Sequence, residues 1–280
     1  MQKVNAVTLS GGSAFGLSSA GGVTKYLHEN NLGYTVGAFC VPIVCGASVF
    51  DLDYKNFAYP GEAEGYEAAA NALTDNFEKG SIGGGTGATI SKVLGAASRA
   101  KSGLGVATLS LNGLEIAVLC VVNAVGDIIG GNGKIIHGGK DSDGNYIDCT
   151  KILTEGSYNT TDKPAPSAVN AEEINLHAGA NTTISCIITN ADLTKEQCNE
   201  LADIANDGYA TAISPAHSPF DGDCIFVLAS GGVKISYPVI AAIIPKLTAQ
   251  AVRSVAEDSN SRDRKKVNPF LFKLINKFIK

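Results

Sequence analysis

The stretch Ala178-Gly179-Ala180-Asn181-Thr182-Thr183-Ile184-Ser185-Cys186-Ile187-Ile188-Thr189-Asn190 does most to fix what this chain can become. From Thr182 to Thr189 nearly every residue is β-branched or apolar, which favours a buried strand over a helix. Upstream, residues 138–180 form one long polar, turn-rich segment without core periodicity. The chain therefore passes from exposed loop into buried strand, with two threonines on the boundary. A hydroxyl placed there is fixed by the strand and open to substrate on the loop side. A plain strand that begins Thr-Thr has the same residues, so this stretch alone leaves both readings open.

At 280 residues, 45% hydrophobic and 18% charged, the chain is globular and long enough for one large core or two ordinary domains. Its 32 glycines against 9 prolines predict many tight strand-to-helix turns. A net charge of −5 gives the body no electrostatic case for nucleic acid. The first thirty or so residues do not read as a secretion signal, and no run of about 18 uninterrupted apolar residues reads as a spanning helix. Seven cysteines make an odd count without a C-x-x-C pair; five sit within or beside apolar runs as small core residues, and the set reads as belonging to a reducing compartment. These features point to the cytoplasm. The four histidines show no metal-ligand spacing.

Val4 to Leu9 reads as a strand that runs into Ser10-Gly11-Gly12-Ser13, where Ser13 as N-cap starts a helix reaching about Glu29. Such a turn can hold an anion or carboxylate, or can be a simple strand-to-helix connection. Val36 to Leu52 reads as buried strand and turn. Glu62 to Phe77 has helical spacing. Gly83-Gly84-Gly85-Thr86-Gly87 matches neither nucleotide-binding glycine pattern. These glycines suit close backbone packing, or a substrate lying against main-chain N–H groups at Gly84, Gly85, Thr86 and Gly87. Asn112-Gly113, between two apolar runs, predicts a hairpin whose second strand ends at Asn123. Asn123 can cap its turn or aim its amide into a site.

Further on, Thr194 and Gln197 form a capping box ahead of a helix with Cys198, Leu201, Ile204 or Ala205, and Tyr209 on one stripe. Asp221 and Asp223 flank Gly222 before another apolar strand, on one side of an extended chain. Tyr237 to Glu257 is a final helical region interrupted early by Pro245. Residues 262–280 hold seven Lys/Arg and one Asp beside an apolar helical face. That pattern suits a docking helix, weak membrane contact or an ordinary terminal helix.

Seven motifs then fall in one order: Leu9-Ser10-Gly11-Gly12-Ser13-Ala14-Phe15-Gly16-Leu17, Val41-Pro42-Ile43-Val44, Phe50-Asp51-Leu52, Gly83 to Thr89, Val122-Asn123-Ala124-Val125-Gly126-Asp127, Asn181-Thr182-Thr183-Ile184 and Asp221-Gly222-Asp223. In this order the chain resembles, over about residues 4–255, the DmpA-like L-aminopeptidase/D-esterases and β-peptidyl aminopeptidases. The resemblance implies an α/β fold, the DmpA/ArgJ-like two-sheet αββα sandwich similar to N-terminal-nucleophile hydrolases. It implies self-cleavage at Asn181–Thr182, giving an α-chain of residues 1–181 and a β-chain of 182–261, with 262–280 a basic amphipathic tail outside the shared pattern. Thr182 matches the nucleophile, Asn123 the oxyanion-hole asparagine, and Asp221 and Asp223 a segment supporting the nucleophile. Asp223 fits an acidic position, whereas Asp221 replaces a hydroxyl residue.

The implied activity is hydrolysis of short peptides, amides or esters with a free N-terminus, without metal or cofactor, by a homo-oligomer of processed chains. Relatives of this kind carry some tens of residues before the first glycine motif, so an unpaired sheet edge and an incomplete pocket are expected here. Acetyl transfer, as in the ornithine acetyltransferases, is the alternative chemistry. An unprocessed binding or assembly protein is the non-enzymatic alternative. The chemistry suits threonine: an α-amine titrating near 7.7–8.0 can act as the hydroxyl's own base once the chain is cut.

Overall fold

A computed structural model describes residues 1–72, 78–155 and 180–258. The strands are β1 (Ala6–Ser10), β2 (Tyr34–Val36), β3 (Phe39–Val41), β4 (Val44–Ser48), β5 (Thr89–Ile90), β6 (Ala100–Lys101), β7 (Leu104–Leu111), β8 (Leu114–Asn123), β9 (Asp127–Ile129), β10 (Ile135–His137), β11 (Thr182–Ala191), β12 (Ile213–Ser214) and β13 (Cys224–Val233). The helices are α1 (Ser13–Gly16), α2 (Ser19–Glu29), α3 (Glu62–Asn71), α4 (Cys149–Glu155), α5 (Lys195–Ala212) and α6 (Tyr237–Asp258).

The central sheet runs β13-β11-β8-β7, with β11 parallel to β13 and antiparallel to β8. Alternation along β11 divides its side chains between two cores. Ile187 faces α5 and α6, packing with Leu201, Ala205 and Tyr209 of α5 and Ile240 and Ile244 of α6. Ile184 faces the other way, against Val49, Ala88 and Val121, with Leu9 and Ala47 at the edge. That second core lies between the central sheet and the parallel pair β1-β4. The outer side of β1-β4 is covered by α2, whose Val23, Tyr26 and Leu27 pack with Ala6 and Val44 and with Tyr66, Ala69 and Ala70 of α3. The order of layers is helix, sheet, sheet, helix, as the resemblance implies.

Local chemistry accounts for the expected elements. Asn112 and Gly113 sit at φ 48° and 84°, the left-handed pair a two-residue hairpin needs. In the capping box Gln197 N donates to Thr194 Oγ1 over 3.2 Å, and Thr194 N donates to Gln197 Oε1 over 3.0 Å.

Four expectations need correction. The first helix is capped by Gly12, at φ 87°, rather than by Ser13, and it breaks before α2 begins at Ser19. Residues 36–52 are not uniformly buried: the β2-β3 hairpin is exposed, with Phe39 at 72%. The polar segment 138–180 contains α4, anchored by buried Cys149 and Ile152. Finally, α6 continues through Pro245. Gly208 of α5 lies against the Pro245 carbonyl, so the two helices pack closely at that turn. By length and composition α6 could cross a bilayer, but half of it is buried here. The tail 262–280, the region 156–179, and residues 73–77 at the end of the expected Glu62–Phe77 helix lie outside the described residues.

Candidate active site

Thr182 is the first residue of β11, and both it and Asn181 are buried. Its hydroxyl donates to the Asn181 carbonyl oxygen over 2.5 Å. The same oxygen accepts the Gly222 N–H over 2.7 Å, because Asn181 pairs with Asp221 in a one-residue parallel bridge. The carbonyl of the 181–182 peptide thus carries a hydroxyl beside it and a fixed backbone donor on its oxygen. That is the arrangement needed where negative charge develops in acyl transfer. A Cβ at position 222 would lie 3.1 Å from Thr182 Oγ1, so glycine leaves room for the hydroxyl.

Asn123 faces Thr182 across the β8–β11 ladder and is fully buried. Its Oδ1 accepts Thr89 N at 3.0 Å and Lys92 Nζ at 2.8 Å, while Nδ2 donates to the Phe50 carbonyl over 3.0 Å. The Asn123 amide is therefore engaged on both sides, and the donor on the Asn181 oxygen comes from Gly222. Lys92 also donates to the Asn123 carbonyl over 3.0 Å. Burial pushes its ammonium down to about 7, against the opposing charges of Asp53, Asp221 and Asp51. An amine in that range exchanges protons at neutral pH. Sequence reasoning missed Lys92, since one lysine after a glycine run carries no pattern of its own.

The segment bearing Lys92 is tied to the Asn123–Asp127 motif. Ser91 N and Lys92 N donate to the Gly126 and Val125 carbonyls over 3.1 and 2.9 Å. Ser91 Oγ donates to buried Asp127, whose other oxygen accepts Cys149 N over 2.8 Å. Burial lifts the Asp127 carboxyl to about 6.

The two acids take different roles. Asp221 Oδ1 accepts Val125 N over 3.3 Å, and its Oδ2 accepts Ser218 N at 3.1 Å and Ser218 Oγ at 2.5 Å. It thereby ties the Gly222 loop to the Asn123 segment. Asp223 Oδ1 accepts Thr183 N over 2.7 Å, anchoring the start of β11, and its Oδ2 meets His217 Nδ1 at 2.8 Å. Burial raises the Asp223 carboxyl to about 6; the Asp221 charge adds to this, and the Thr183 N–H and His217 oppose it.

The glycine run is a packing device at several of its atoms. Gly84 lies against the Leu9 carbonyl, Gly85 against Leu104 and Gly80, and Gly87 against the Asp51 carboxylate, while the Thr86 side chain is exposed. Asp51 Oδ1 also accepts Gly12 N over 2.6 Å, so both glycine turns converge on Asp51 beside Phe50.

Peptidase family S58 matches residues 2–262. An uncharacterised aminopeptidase of Mycobacterium tuberculosis is 34% identical over 269 residues, covering 92% of this chain and 72% of that protein. One from Mycobacterium leprae is 33% identical, covering 82% and 61%. A 6-aminohexanoate-oligomer endohydrolase of Paenarthrobacter ureafaciens is 27% identical, covering 82% and 62%. The chain spans about 61–72% of these relatives. Among solved structures, the L-aminopeptidase D-Ala-esterase/amidase of Ochrobactrum anthropi superposes with a TM-score of 0.54 at 14% identity, over 87% of this chain and 63% of that one. A β-aminopeptidase of a Burkholderia species gives 0.51 at 20%, over 93% and 70%. The first of these is described as a variant of the Ntn-hydrolase fold, and the likeness shows that fold here. By the family match along nearly its whole described length, the chain belongs to peptidase family S58.

Proposed function

We propose that this chain is a self-processing aminopeptidase that cleaves its own Asn181–Thr182 bond and then hydrolyses short peptides, amides or esters with a free N-terminus. One observation carries this reading: the Thr182 hydroxyl and the Gly222 N–H meet on one carbonyl oxygen, that of Asn181. Thr182 Oγ1 attacks the Asn181 carbonyl carbon, the 181–182 C–N bond breaks, and the acyl group passes to the hydroxyl as an ester. Water then hydrolyses the ester, leaving a carboxylate on Asn181 and a free amine on Thr182. Before that cut Thr182 has no α-amine to serve as base. Lys92, held at Asn123 across the ladder and poised near neutral pH, supplies that role in the first step. Afterwards the Thr182 amine becomes the base and substrate takes the place of Asn181.

Processing divides the chain into 1–181 and 182–280, both parts of one catalytic domain. Exposed Tyr34, Val36, Phe39 and Val41 on the β2-β3 hairpin support assembly into a homo-oligomer. The sequence of 262–280 supports weak membrane-surface contact, and the unpaired cysteines support a cytoplasmic home. Purified, processed protein should release 4-nitroaniline from L-aminoacyl 4-nitroanilides but not from their N-acetylated forms. Release of acetyl groups to amino-acid acceptors without amide hydrolysis would replace this reading with acyl transfer.

A further inference from the structure

We propose that His217 is a positioning residue for the same site, holding the Asp223 carboxylate and through it the Thr183 end of the nucleophile strand. The inference rests on the reading of Thr182 as nucleophile, but its geometry is separate. His217 Nδ1 lies 2.8 Å from Asp223 Oδ2, and its Nε2 lies 3.3 Å from the Asn206 carbonyl of α5. Both partners are acceptors, so the ring satisfies both only as an imidazolium, with an N–H on each nitrogen. The ring also lies tilted over Tyr209, at 5.8 Å between centroids, where a cation is favoured. The backbone at His217 has φ 51°, in the left-handed region.

The pair spans the distance from solvent to the nucleophile. The His217 side chain is 36% exposed and that of Asp223 only 8%. Asp223 Oδ1 holds Thr183 N, the amide next to Thr182. The other titratable groups facing Asp223 are Asp221 across Gly222, Cys120 of β8, Tyr209 of α5 and adjacent Cys224; Lys92 faces Asp221. Among the groups acting on Asp223, the Thr183 N–H and then the His217 imidazolium favour its ionised form, against burial and the Asp221 charge. Loss of that cation lets the carboxyl take up a proton at higher pH and releases its hold on Thr183.

The test uses the uncleavable Thr182→Ala chain, so that no processing step intervenes. The Asp223 carboxyl carbon and the Thr183 amide are followed by NMR as pH falls, in chains carrying His217, His217→Asn and His217→Gly. Asparagine and glycine both accept the left-handed backbone; asparagine keeps a donor near Nδ1 without a charge, and glycine keeps neither. The expected midpoints rise in the order His217, Asn, Gly, with the glycine variant about one pH unit above the parent, and the Thr183 amide follows the same midpoints. Equal midpoints in all three, or a Thr183 amide that ignores the carboxyl titration, would overturn the proposal. Self-cleavage of the Thr182 chain is scored separately. Its absence alongside graded midpoints would sink the nucleophile reading and leave the His217 clamp standing.

Discussion

The Gly222 amide donates to the Asn181 carbonyl oxygen over 2.7 Å, the same oxygen the Thr182 hydroxyl reaches over 2.5 Å. This contact puts an oxyanion donor on the backbone of the acidic loop. Gly222→Ala would place a Cβ 3.1 Å from Thr182 Oγ1, tight enough to displace the hydroxyl or the loop by a few tenths of an ångström. Self-cleavage should slow by roughly 10- to 100-fold, less than the about 100- to 1,000-fold that follows outright loss of an oxyanion donor. The circular dichroism spectrum should stay unchanged. Cleavage at the parental rate would remove Gly222 from the site.

Lys92 makes the first cut depend on pH. With its ammonium pushed down to about 7, the rate of self-cleavage should rise as pH passes through 7 and level off above it. Lys92→Arg, which stays charged, should lose this step by about 100-fold or more at every pH, in line with losing a general base. The sign for stability is also fixed. Because the folded-state value lies below the unfolded one, the buried amine costs stability as pH falls from about 10.5 to about 7, and the cost is constant below that. Chemical denaturation should therefore show Lys92→Met gaining on the parent chain as pH falls through this window and keeping a constant lead below about pH 7.

Asn123 should behave as scaffold as well as site. Asn123→Ala leaves the Thr89 N–H buried and the Phe50 carbonyl half-buried without this partner, at about 1–3 kcal/mol for the first and less for the second. The melting temperature should fall by roughly 5–15 °C in a chain of this size. Gly222→Ala should not share that loss. A variant at 123 that melts with the parent would mean the amide network contributes nothing.

Gly208 tests the α5–α6 contact. A Cβ there would stand 2.6 Å from the Pro245 carbonyl oxygen, so Gly208→Val should destabilise the fold by about 2–4 kcal/mol through overpacking. Thermal melting would check it, and a neutral outcome would show that α6 can move away freely.

The sequence was most legible where chemistry is local. The Asn112-Gly113 turn, the Thr194–Gln197 box and the Leu201–Tyr209 stripe depend on residues a few positions apart, and each is where it was expected. The layer order followed from the resemblance, since nothing local says that Ile184 and Ile187 serve different cores. What failed was context. Phe39 and Val41 look like core residues, yet they sit on an exposed hairpin. Pro245 reads as a helix break, yet α6 continues through it and packs closely on Gly208 of α5. At the site, Thr182, Asn123 and the two acids stood out by type. Lys92, His217 and the Gly222 amide did not, because partners 31, 6 and 41 residues away define what they do.

The most direct test of the central claim is the intact mass of freshly purified protein beside its Thr182→Ala variant. Scission at Asn181–Thr182 should divide the 28.8 kDa chain into fragments of roughly 18–19 and 10 kDa, the smaller beginning at Thr182, with the variant whole. A parent chain that stays at full mass, or a variant cleaved at the same bond, would contradict the account.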